Sequence, residues 1–476
     1  MYTKEKNQFA SRQQKKIKII FCLMMIFVCQ LSFAQQSKRP NIILILTDDL
    51  GWSCFSSQMD DRVPDSKSDY FETPNIDRFV KQSMRFTRGY APDPICTPSR
   101  RSIQFGQTSI RQGDETFPEQ YAPAVSTSHS IPQVLKAFDS HYKTAHFGKW
   151  DLRSKITPEQ LGYDESDGDT GNKNGDISQD REEKWLQHYI SDNPKQMDSL
   201  TKRAIRFMQK EVKEKNPFYL QVSHYATHVN FESSQESYDR FSAKTPGKKH
   251  NNPSWAGMIN DLDARIGELL QMVQTLGIAD NTYIFLMADN GAVEFIPPVS
   301  NRLDPPASFD KQMRNYPLRG GKWTLYEGGI RVPFIVKGPG IKAGNQSDVA
   351  VAGWDLLPTI LELAGDTKKP AANIDGGSMV SVLKHNGKGT INRLSDDFFF
   401  HRYNNGYPHS AIIEGDYKLI KFWKTKKIEL YNIKTDLGEN HEMSKQEPEK
   451  TKELEAKLLK YINEVNPELA KRYEKK

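Results

Sequence analysis

Pro40-Asn41-Ile42-Ile43-Leu44-Ile45-Leu46-Thr47-Asp48-Asp49-Leu50-Gly51 is the stretch that decides the fold of this chain. Ile42 to Leu46 are all apolar, with no alternation of polar and apolar positions. A strand of that kind must be covered on both faces, as in the interior of a parallel sheet. Strand-like runs recur at Lys143–Phe147, Pro217–Ser223, Thr282–Ala288 and Val332–Val336. Between them lie helical patterns, Asp198–Lys213 and Ser254–Leu276, the second with Met258, Leu262, Ile266, Leu269, Leu270 and Val273 at helical spacing. Strands alternating with helices predict an α/β fold, a large and mainly parallel sheet sandwiched by helices. From about residue 390 the pattern changes to short segments separated by Gly, Asn and Lys turns: Asp397–Phe400, Ser410–Glu414, Tyr417–Phe422 and Ile428–Ile433. They predict a smaller C-terminal antiparallel sheet, with the charged helix Glu447–Val465 packed on it. The expected division is a main domain over 35–389 and an α+β subdomain over 390–476.

Residues 1–34 stand apart. Lys15, Lys16 and Lys18 precede an apolar run from Ile19 to Val28, and Ser32-Phe33-Ala34 offers small residues for cleavage. This is read as a secretory signal peptide, which predicts an exported, periplasmic or secreted protein. A stable membrane anchor is the weaker reading, because the run is short and interrupted by Gln30. The leader holds six Lys/Arg and one acidic residue of the chain's 66 and 60, leaving 60 basic against 59 acidic residues. The apparent basicity belongs to the leader, and no nucleic-acid partner is implied. Of Cys22, Cys29, Cys54 and Cys96, the last two remain after cleavage. A disulfide between them is open to an exported protein.

In parallel sheets, ligands collect at the carboxyl ends of the strands. The polar residues that follow the runs fall there: Asp48 and Asp49, Lys149, His224 and His228, Asp289 and Asn290. Two adjacent carboxylates repel each other unless a cation lies between them. Asp289-Asn290-Gly291 adds a carboxylate and an amide oxygen at a second strand end. Four oxygen ligands, without the His/Cys spacing of a zinc site, suit a hard divalent ion, Ca²⁺ first and Mg²⁺ as the alternative. Cap and turn residues are the other reading. It accounts for either pair alone better than for both, each directly after a buried strand. Gly162–Asp180 is rich in Asp, Gly and Asn, but lacks the ligand spacing and the glycine of an EF-hand. It is read as a surface loop at the pocket rim.

Pro94-Ile95-Cys96-Thr97-Pro98-Ser99-Arg100 is followed by Gly106, ten positions after the cysteine. C-x-P-S-R with the later glycine is the pattern that maturation enzymes read when they oxidise cysteine to formylglycine. It resembles the signature of type I sulfatases. The plain alternative is a buried thiol beside a Pro-Ser turn. A disulfide to Cys54 would consume the thiol marked for oxidation. Further motifs stand in order along the chain: Thr47-Asp48-Asp49-Leu50-Gly51, Thr73-Pro74-Asn75-Ile76-Asp77, Phe147-Gly148-Lys149-Trp150, Asp289-Asn290-Gly291, Leu318-Arg319-Gly320-Gly321-Lys322, Glu327-Gly328-Gly329-Ile330-Arg331-Val332-Pro333 and Glu429-Leu430-Tyr431-Asn432. Together they make the stretch from Arg39 to Met443 similar to the type I, formylglycine-dependent sulfatases of the alkaline phosphatase superfamily.

The resemblance implies that Asp48, Asp49, Asp289 and Asn290 bind the metal, which also touches the formylglycine made from Cys96. It implies that Arg100 holds the formylglycine hydrate and that Lys149 and Lys322 bind sulfate oxygens. His228, in Ser223-His224-Tyr225-Ala226-Thr227-His228, matches the histidine that contacts sulfate and protonates the leaving alcohol; His224 is read as structural. The residue types fit the chemistry. A sulfate ester is already anionic, so a nucleophile reaches sulfur only if cations offset the charge. A serine would be left as a stable sulfate ester, whereas a hydrated aldehyde has a second hydroxyl whose deprotonation expels sulfate. One position departs from the family pattern. The usual Gly-Lys-Trp-His reads Gly148-Lys149-Trp150-Asp151, and aspartate is a weaker base than imidazole. Asp151 is read as the base, as the residue that orients another base such as His146, or as a partner of Lys149 only.

Arg302, His401, Arg402 and His409 fall where relatives line the substrate pocket; the alternative for each is an ordinary surface residue. The function expected is hydrolysis of O-sulfate esters on sulfated polysaccharides or oligosaccharides. The partners expected are the sulfated glycan and a formylglycine-maturating enzyme. The rivals are a phosphonate or phosphate monoester hydrolase of the same superfamily and a non-catalytic binder of sulfated glycans.

Overall fold

A computed structural model describes residues 39–113, 129–153, 156–175, 188–294, 314–368, 371–403 and 406–474. Its central sheet has eight strands. In chain order they are β1 (Asn41–Thr47), β2 (Met84–Phe86), β3 (Lys143–Gly148), β4 (Glu165–Ser166), β5 (Phe218–Ser223), β6 (Thr282–Ala288), β7 (Phe334–Lys337) and β8 (Asn345–Ser347). Across the sheet the order is β8-β2-β7-β6-β1-β5-β3-β4. β1 lies between β5 and β6 and is parallel to both, with Ile45 opposite Val222 on one side and Leu286 on the other. Every residue of these three strands is buried, which is why their sequences run apolar without alternation.

β7 departs from the parallel pattern. The run Val332–Val336 becomes a strand only from Phe334, antiparallel to both β6 and β2. An antiparallel neighbour of β6 needs no helical crossover. The stretch expected as a surface loop is also more than that. Within it, β4 pairs with β3 as the edge strand, while 176–180 lie outside the described residues.

Helices cover the sheet where apolar residues recur at helical spacing. In chain order, α1 is Cys96–Phe105, α2 is Met197–Glu214 and α3 is Pro253–Thr275. α2 buries Leu200, Ala204, Phe207 and Met208. α3 starts with Pro253 after Asn252, whose side chain accepts the Trp255 N–H at 3.1 Å, a helix start that leaves no donor wasted. It buries Met258, Leu262, Ile266, Leu269 and Val273 along one stripe.

The C-terminal sheet is β9 (Phe398–Arg402), β10 (His409–Glu414), β11 (Tyr417–Phe422) and β12 (Ile428–Asn432), antiparallel in that order. Its alternating residues serve two interfaces. Phe399, Ile412, Leu419 and Leu430 pack with Leu454, Leu458 and Ile462 of α4 (Pro448–Val465). Phe398, Phe400, Ala411, Ile413 and Ile420 pack with Leu325, Tyr326, Ile330 and Trp354 from the body of the molecule. A last short helix, Pro467–Glu474, was not expected from the sequence. Among the described residues no helix is long and apolar enough to cross a membrane.

Candidate active site

The carboxyl ends of β1, β5, β3 and β6 meet, and backbone hydrogen bonds lace them together. Asp48 N–H donates to Ala226 O at 2.9 Å, Thr227 N–H to Asp48 O at 2.5 Å and Asp289 N–H to Thr47 O at 3.0 Å. Thr227 Oγ1 also donates to Asp49 O at 3.0 Å. Asp49 sits in a left-handed turn at φ +55°, which brings its N–H to Asp289 Oδ1 at 3.2 Å. Gly148 ends β3 at φ +96°, and a Cβ there would meet Ser223 O at 2.0 Å. Only glycine allows that approach, which lets Lys149 N–H reach Ser223 O at 2.8 Å.

Cys96 opens α1, a helix whose ten residues are all buried. Gly106 closes it at φ +63°, its N–H on Ser102 O, so the later glycine of the motif is a helix C-cap. Cys96 Sγ lies 3.3 Å from Asp48 Oδ1, 3.7 Å from Asp49 Oδ1 and 3.3 Å from Lys322 Nζ. Lys149 Nζ pairs with Asp48 Oδ2 and Lys322 Nζ with Asp49 Oδ2, both at 2.7 Å. Arg100 donates to Asp289 Oδ2 through Nε at 2.8 Å and to Lys149 O at 2.6 Å. Asn290 Nδ2 donates to Asp49 Oδ1 at 2.7 Å.

Burial sets the electrostatics. It pushes the Cys96 thiol well up, with Asp48 adding to the shift. Burial also works against the charge of Asp48, but Lys149, His228, Arg100 and Lys322 outweigh it and hold its carboxyl far down. Asp289 is pushed up to about 7 by burial and then by the charge of Asp48. A carboxylate so raised at a crowded strand end marks a site short of positive charge.

That shortage is the test of the expected cation, and the residues fit it. One ligand atom each from Asp48, Asp49, Asp289 and Cys96 lies within 4.8 Å of the others. Asn290 Oδ1 is buried without a hydrogen-bond partner. Three carboxylates and an orphaned amide oxygen form the donor set of a hard divalent ion.

His228 stands at the rim, Nε2 3.8 Å from Asp49 Oδ2. Its Nδ1 lies 2.7 Å from Val229 O. That bond places the Nδ1 proton and leaves Nε2 facing the site. Burial first, then Lys322, lower its pKa well below the ordinary value. Asp151 follows Lys149 in a left-handed turn at φ +50°. The expected loop holds this turn: Asp151 N–H donates to Thr170 O at 2.8 Å and Trp150 N–H to Thr170 Oγ1 at 3.0 Å. Asp151 Oδ2 lies 3.7 Å from Lys149 Nζ, whose close partner is Asp48. Oδ2 is buried without a hydrogen bond, while Oδ1 lies 3.4 Å from Arg153 Nε. His146 contacts Ser223 Oγ at 3.1 Å through Nε2 and is wedged edge-on against Trp150 and Tyr163. Burial and then Arg100 lower its pKa to about 3. His224 is fully buried, lowered to about 4 by burial.

The structure thus brings Asp48, Asp49, Cys96, Arg100, Lys149, Asp151, His228, Asp289, Asn290 and Lys322 together. Arg302 lies outside the described residues. His401 and Arg402 are buried in β9, not ordinary surface residues: His401 Nδ1 contacts Ser410 Oγ at 2.7 Å, and Arg402 bonds the Tyr403 carbonyl. His409 is also buried. Cys54 and Cys96 are both free thiols, so the disulfide does not form. Two supports carried no motif signal. Thr227 cradles the β1 end, and Asn315 fixes the Lys322 loop by bonding Ala292 N–H and Ala292 O at 3.1 and 3.0 Å.

A buried cysteine beside a cluster of lysine and carboxylate side chains at the carboxyl edge of a mainly parallel sheet fits a hydrolase of the alkaline phosphatase-like superfamily. The family model described as Sulfatase matches residues 40–366, and one described as N-sulphoglucosamine sulphohydrolase, C-terminal, matches 321–468. The chain belongs to the sulfatase family and is a sulfuric ester hydrolase. It is 28% identical to the N-acetylgalactosamine-6-sulfatase of Mus musculus over 88% of this chain and 79% of that protein. It is 26% identical to a sulfatase of Formosa agariphila over 87% and 86%. The structure of Ps i-CgsB in complex with k-i-k-neocarrahexaose superposes with a TM-score of 0.69 at 24% identity, over 89% of this chain and 93% of that one.

Proposed function

We propose that this sulfatase is exported and hydrolyses O-sulfate esters on sulfated polysaccharides or oligosaccharides, using a formylglycine made from Cys96 and a divalent cation. The observation that carries the reading is the placement of Cys96 Sγ at the first turn of α1, 3.3 Å from both Asp48 Oδ1 and Lys322 Nζ. Sγ marks where an oxygen of the matured residue would sit. A glycan substrate is supported by the named substrate of the mouse relative and by the neocarrahexaose held by the structural neighbour. Export rests on the leader over 1–34, and the division into 35–389 and 390–476 on the change of pattern at residue 390.

Matured, residue 96 supplies a hydrate with one hydroxyl to attack sulfur and a second through which the aldehyde is restored. Asp48, Asp49, Asp289 and Asn290 would hold the cation, Ca²⁺ in preference to Mg²⁺ because a many-oxygen site without enforced octahedral geometry suits the larger ion. Bound there, it offsets negative charge at the reacting oxygens. Lys149 and Lys322 hold sulfate oxygens from two sides and keep the anion against the nucleophile position. Arg100 braces Asp289 and the Lys149 carbonyl. His228, its Nδ1–H tied to Val229 O, presents Nε2 to the leaving alcohol oxygen and, in its doubly protonated form, donates the Nε2 proton there and returns to the neutral ring. Asp151 Oδ2, buried and unbonded, receives a proton from the residue-96 side. Arg302, His401 and Arg402 remain proposed substrate residues, supported by position in the chain alone.

The test is sulfate release from carrageenan and glycosaminoglycan oligosaccharides by protein shown by mass spectrometry to carry formylglycine at position 96. Release is expected to vanish in Cys96→Ala, to fall on chelation and to return more fully with Ca²⁺ than with Mg²⁺. Faster cleavage of an aryl phosphate or phosphonate than of any sulfate would overturn the substrate class.

A further inference from the structure

Lys322 sits on a loop, not on a strand end, yet its Nζ must hold a position within 3.3 Å of Cys96 Sγ. On its near side the loop is pinned to the catalytic body, with Lys322 N–H on Ala292 O at 3.0 Å and Trp323 N–H on Pro94 O at 2.9 Å. Thr324 closes a local turn, its N–H on Gly321 O at 3.0 Å. The next three residues are held from the C-terminal sheet and the segment that follows it. Leu325 N–H donates to His409 Nε2 at 3.1 Å, Tyr326 OH to Glu429 Oε2 at 2.8 Å and Glu327 N–H to Glu439 Oε2 at 2.7 Å.

His409 is the first of these anchors after Lys322. It is buried in β10, and its ring stacks on Phe422 at 5.5 Å. Nδ1 lies 2.8 Å from Tyr407 O. A carbonyl only accepts, so Nδ1 carries the proton and Nε2 offers its lone pair to Leu325 N–H. A buried backbone donor without that acceptor would be left unsatisfied, three residues from the sulfate-binding lysine.

We propose that His409 is a positioning residue of the sulfatase reaction: through Leu325 N–H it sets the loop that places Lys322 Nζ beside the nucleophile position and the sulfate. The C-terminal sheet is thereby part of the catalytic apparatus. The proposal rests on the reading of Lys322 as a sulfate-binding residue.

A double-mutant cycle on the matured full chain tests it, comparing His409→Ala, Lys322→Ala and the pair by kcat/KM on 4-methylumbelliferyl sulfate. The same cycle is read in the Kd of inorganic sulfate by calorimetry, which does not depend on the leaving alcohol. Lys322→Ala is expected to lower kcat/KM by ~10²–10³-fold and His409→Ala by roughly 10-fold, as expected for a misplaced binding group. The double variant should be no worse than Lys322→Ala within about twofold, because the two act through one group. His409→Gln, whose amide oxygen can reach Leu325 N–H, should recover most of the loss. Losses that multiply in the double variant, or a His409→Ala enzyme that melts lower but binds sulfate normally, would overturn the proposal alone. Wild-type behaviour of Lys322→Ala would overturn the Lys322 reading and the proposal with it. If His409→Ala does not fold, His409→Phe, which keeps a ring against Phe422 but removes the acceptor of Leu325 N–H, takes its place in the cycle. Losses that fail to multiply with Lys322→Ala would then support the proposal, and losses that multiply would overturn it.

Discussion

Two groups of buried charges, one at the carboxyl edge of the large sheet and one under the C-terminal sheet, use the same residue types to opposite ends. Under the C-terminal sheet, Glu327 and Glu439 face Arg331 and Lys418. Lys418 Nζ lies 3.0 Å from Glu327 Oε1 and 2.9 Å from Glu439 Oε1, and Arg331 Nε lies 2.5 Å from Glu327 Oε2. Burial opposes the charge of Glu327, but Arg331 and Lys418 outweigh it and hold its carboxyl down at about 2. Each acid there has a buried base against it, yet burial and then the charge of Glu327 push Glu439 up to about 7 against the pull of Lys418. At the active site, the carboxylates of Asp48, Asp49 and Asp289 face three buried cations, Lys149, Lys322 and Arg100, and Asp151 lies between Lys149 and the half-exposed Arg153. Asn290 Oδ1 and Asp151 Oδ2 are buried with no hydrogen bond. The difference lies in geometry: Glu327 and Glu439 close on Lys418 and Arg331, whereas Asp48, Asp49 and Asp289 bring ligand atoms within 4.8 Å of one another, with the unbonded Asn290 Oδ1 beside Asp49, as a site for a guest ion does.

The contrast can be broken at either end. Asp151→Asn keeps shape and loses a base, so steady-state turnover should fall ~10²–10⁴-fold while unfolding free energy changes by less than about 1 kcal/mol. Rapid-mixing kinetics should show a burst of about one equivalent of alcohol per site before the slow phase. Sustained turnover at the wild-type rate would remove Asp151 from the chemistry. Lys418→Met strands Glu327 and Glu439 side by side and should cost about 3–5 kcal/mol in urea unfolding. A loss below about 1 kcal/mol would show the network to be ornamental.

The smallest effect separates a third buried acid from both groups. Glu294 accepts Asn315 N–H at 2.6 Å and Arg314 N–H at 3.1 Å, and burial pushes its carboxyl from the ordinary 4.5 up to about 7. Between those values the native state keeps a proton that the unfolded chain has released. The stabilisation is therefore complete below pH 4.5 and lost as pH rises through 7, on the order of 3 kcal/mol at most. Glu294→Gln should flatten that slope in a pH series of thermal midpoints; an unchanged slope would place the titration elsewhere.

How legible these regions were differs with the kind of residue. Asp48-Asp49, Asp289-Asn290 and Cys96 could be read because each follows a buried strand or opens a patterned helix, so local sequence already put them at one edge. Their convergence needed only the topology of parallel strands. In the Gly162–Asp180 stretch the two-residue edge strand Glu165–Ser166 could not be read, because it has no periodicity to detect. His401, Arg402 and His409 could not be placed because in a short antiparallel sheet covered on both faces polar residues are buried as often by packing as by function.

Sequence by itself determined the α/β class, the order of the sulfatase motifs and the identity of the groups at the strand ends, because these are properties of local pattern and spacing. Tertiary structure decided which charges pair, that Asp151 Oδ2 lies unbonded rather than closely paired with Lys149, and that His409 holds the Lys322 loop. Each of those depends on contacts between residues far apart in the chain, where a few tenths of an ångström separate a hydrogen bond from a buried orphan.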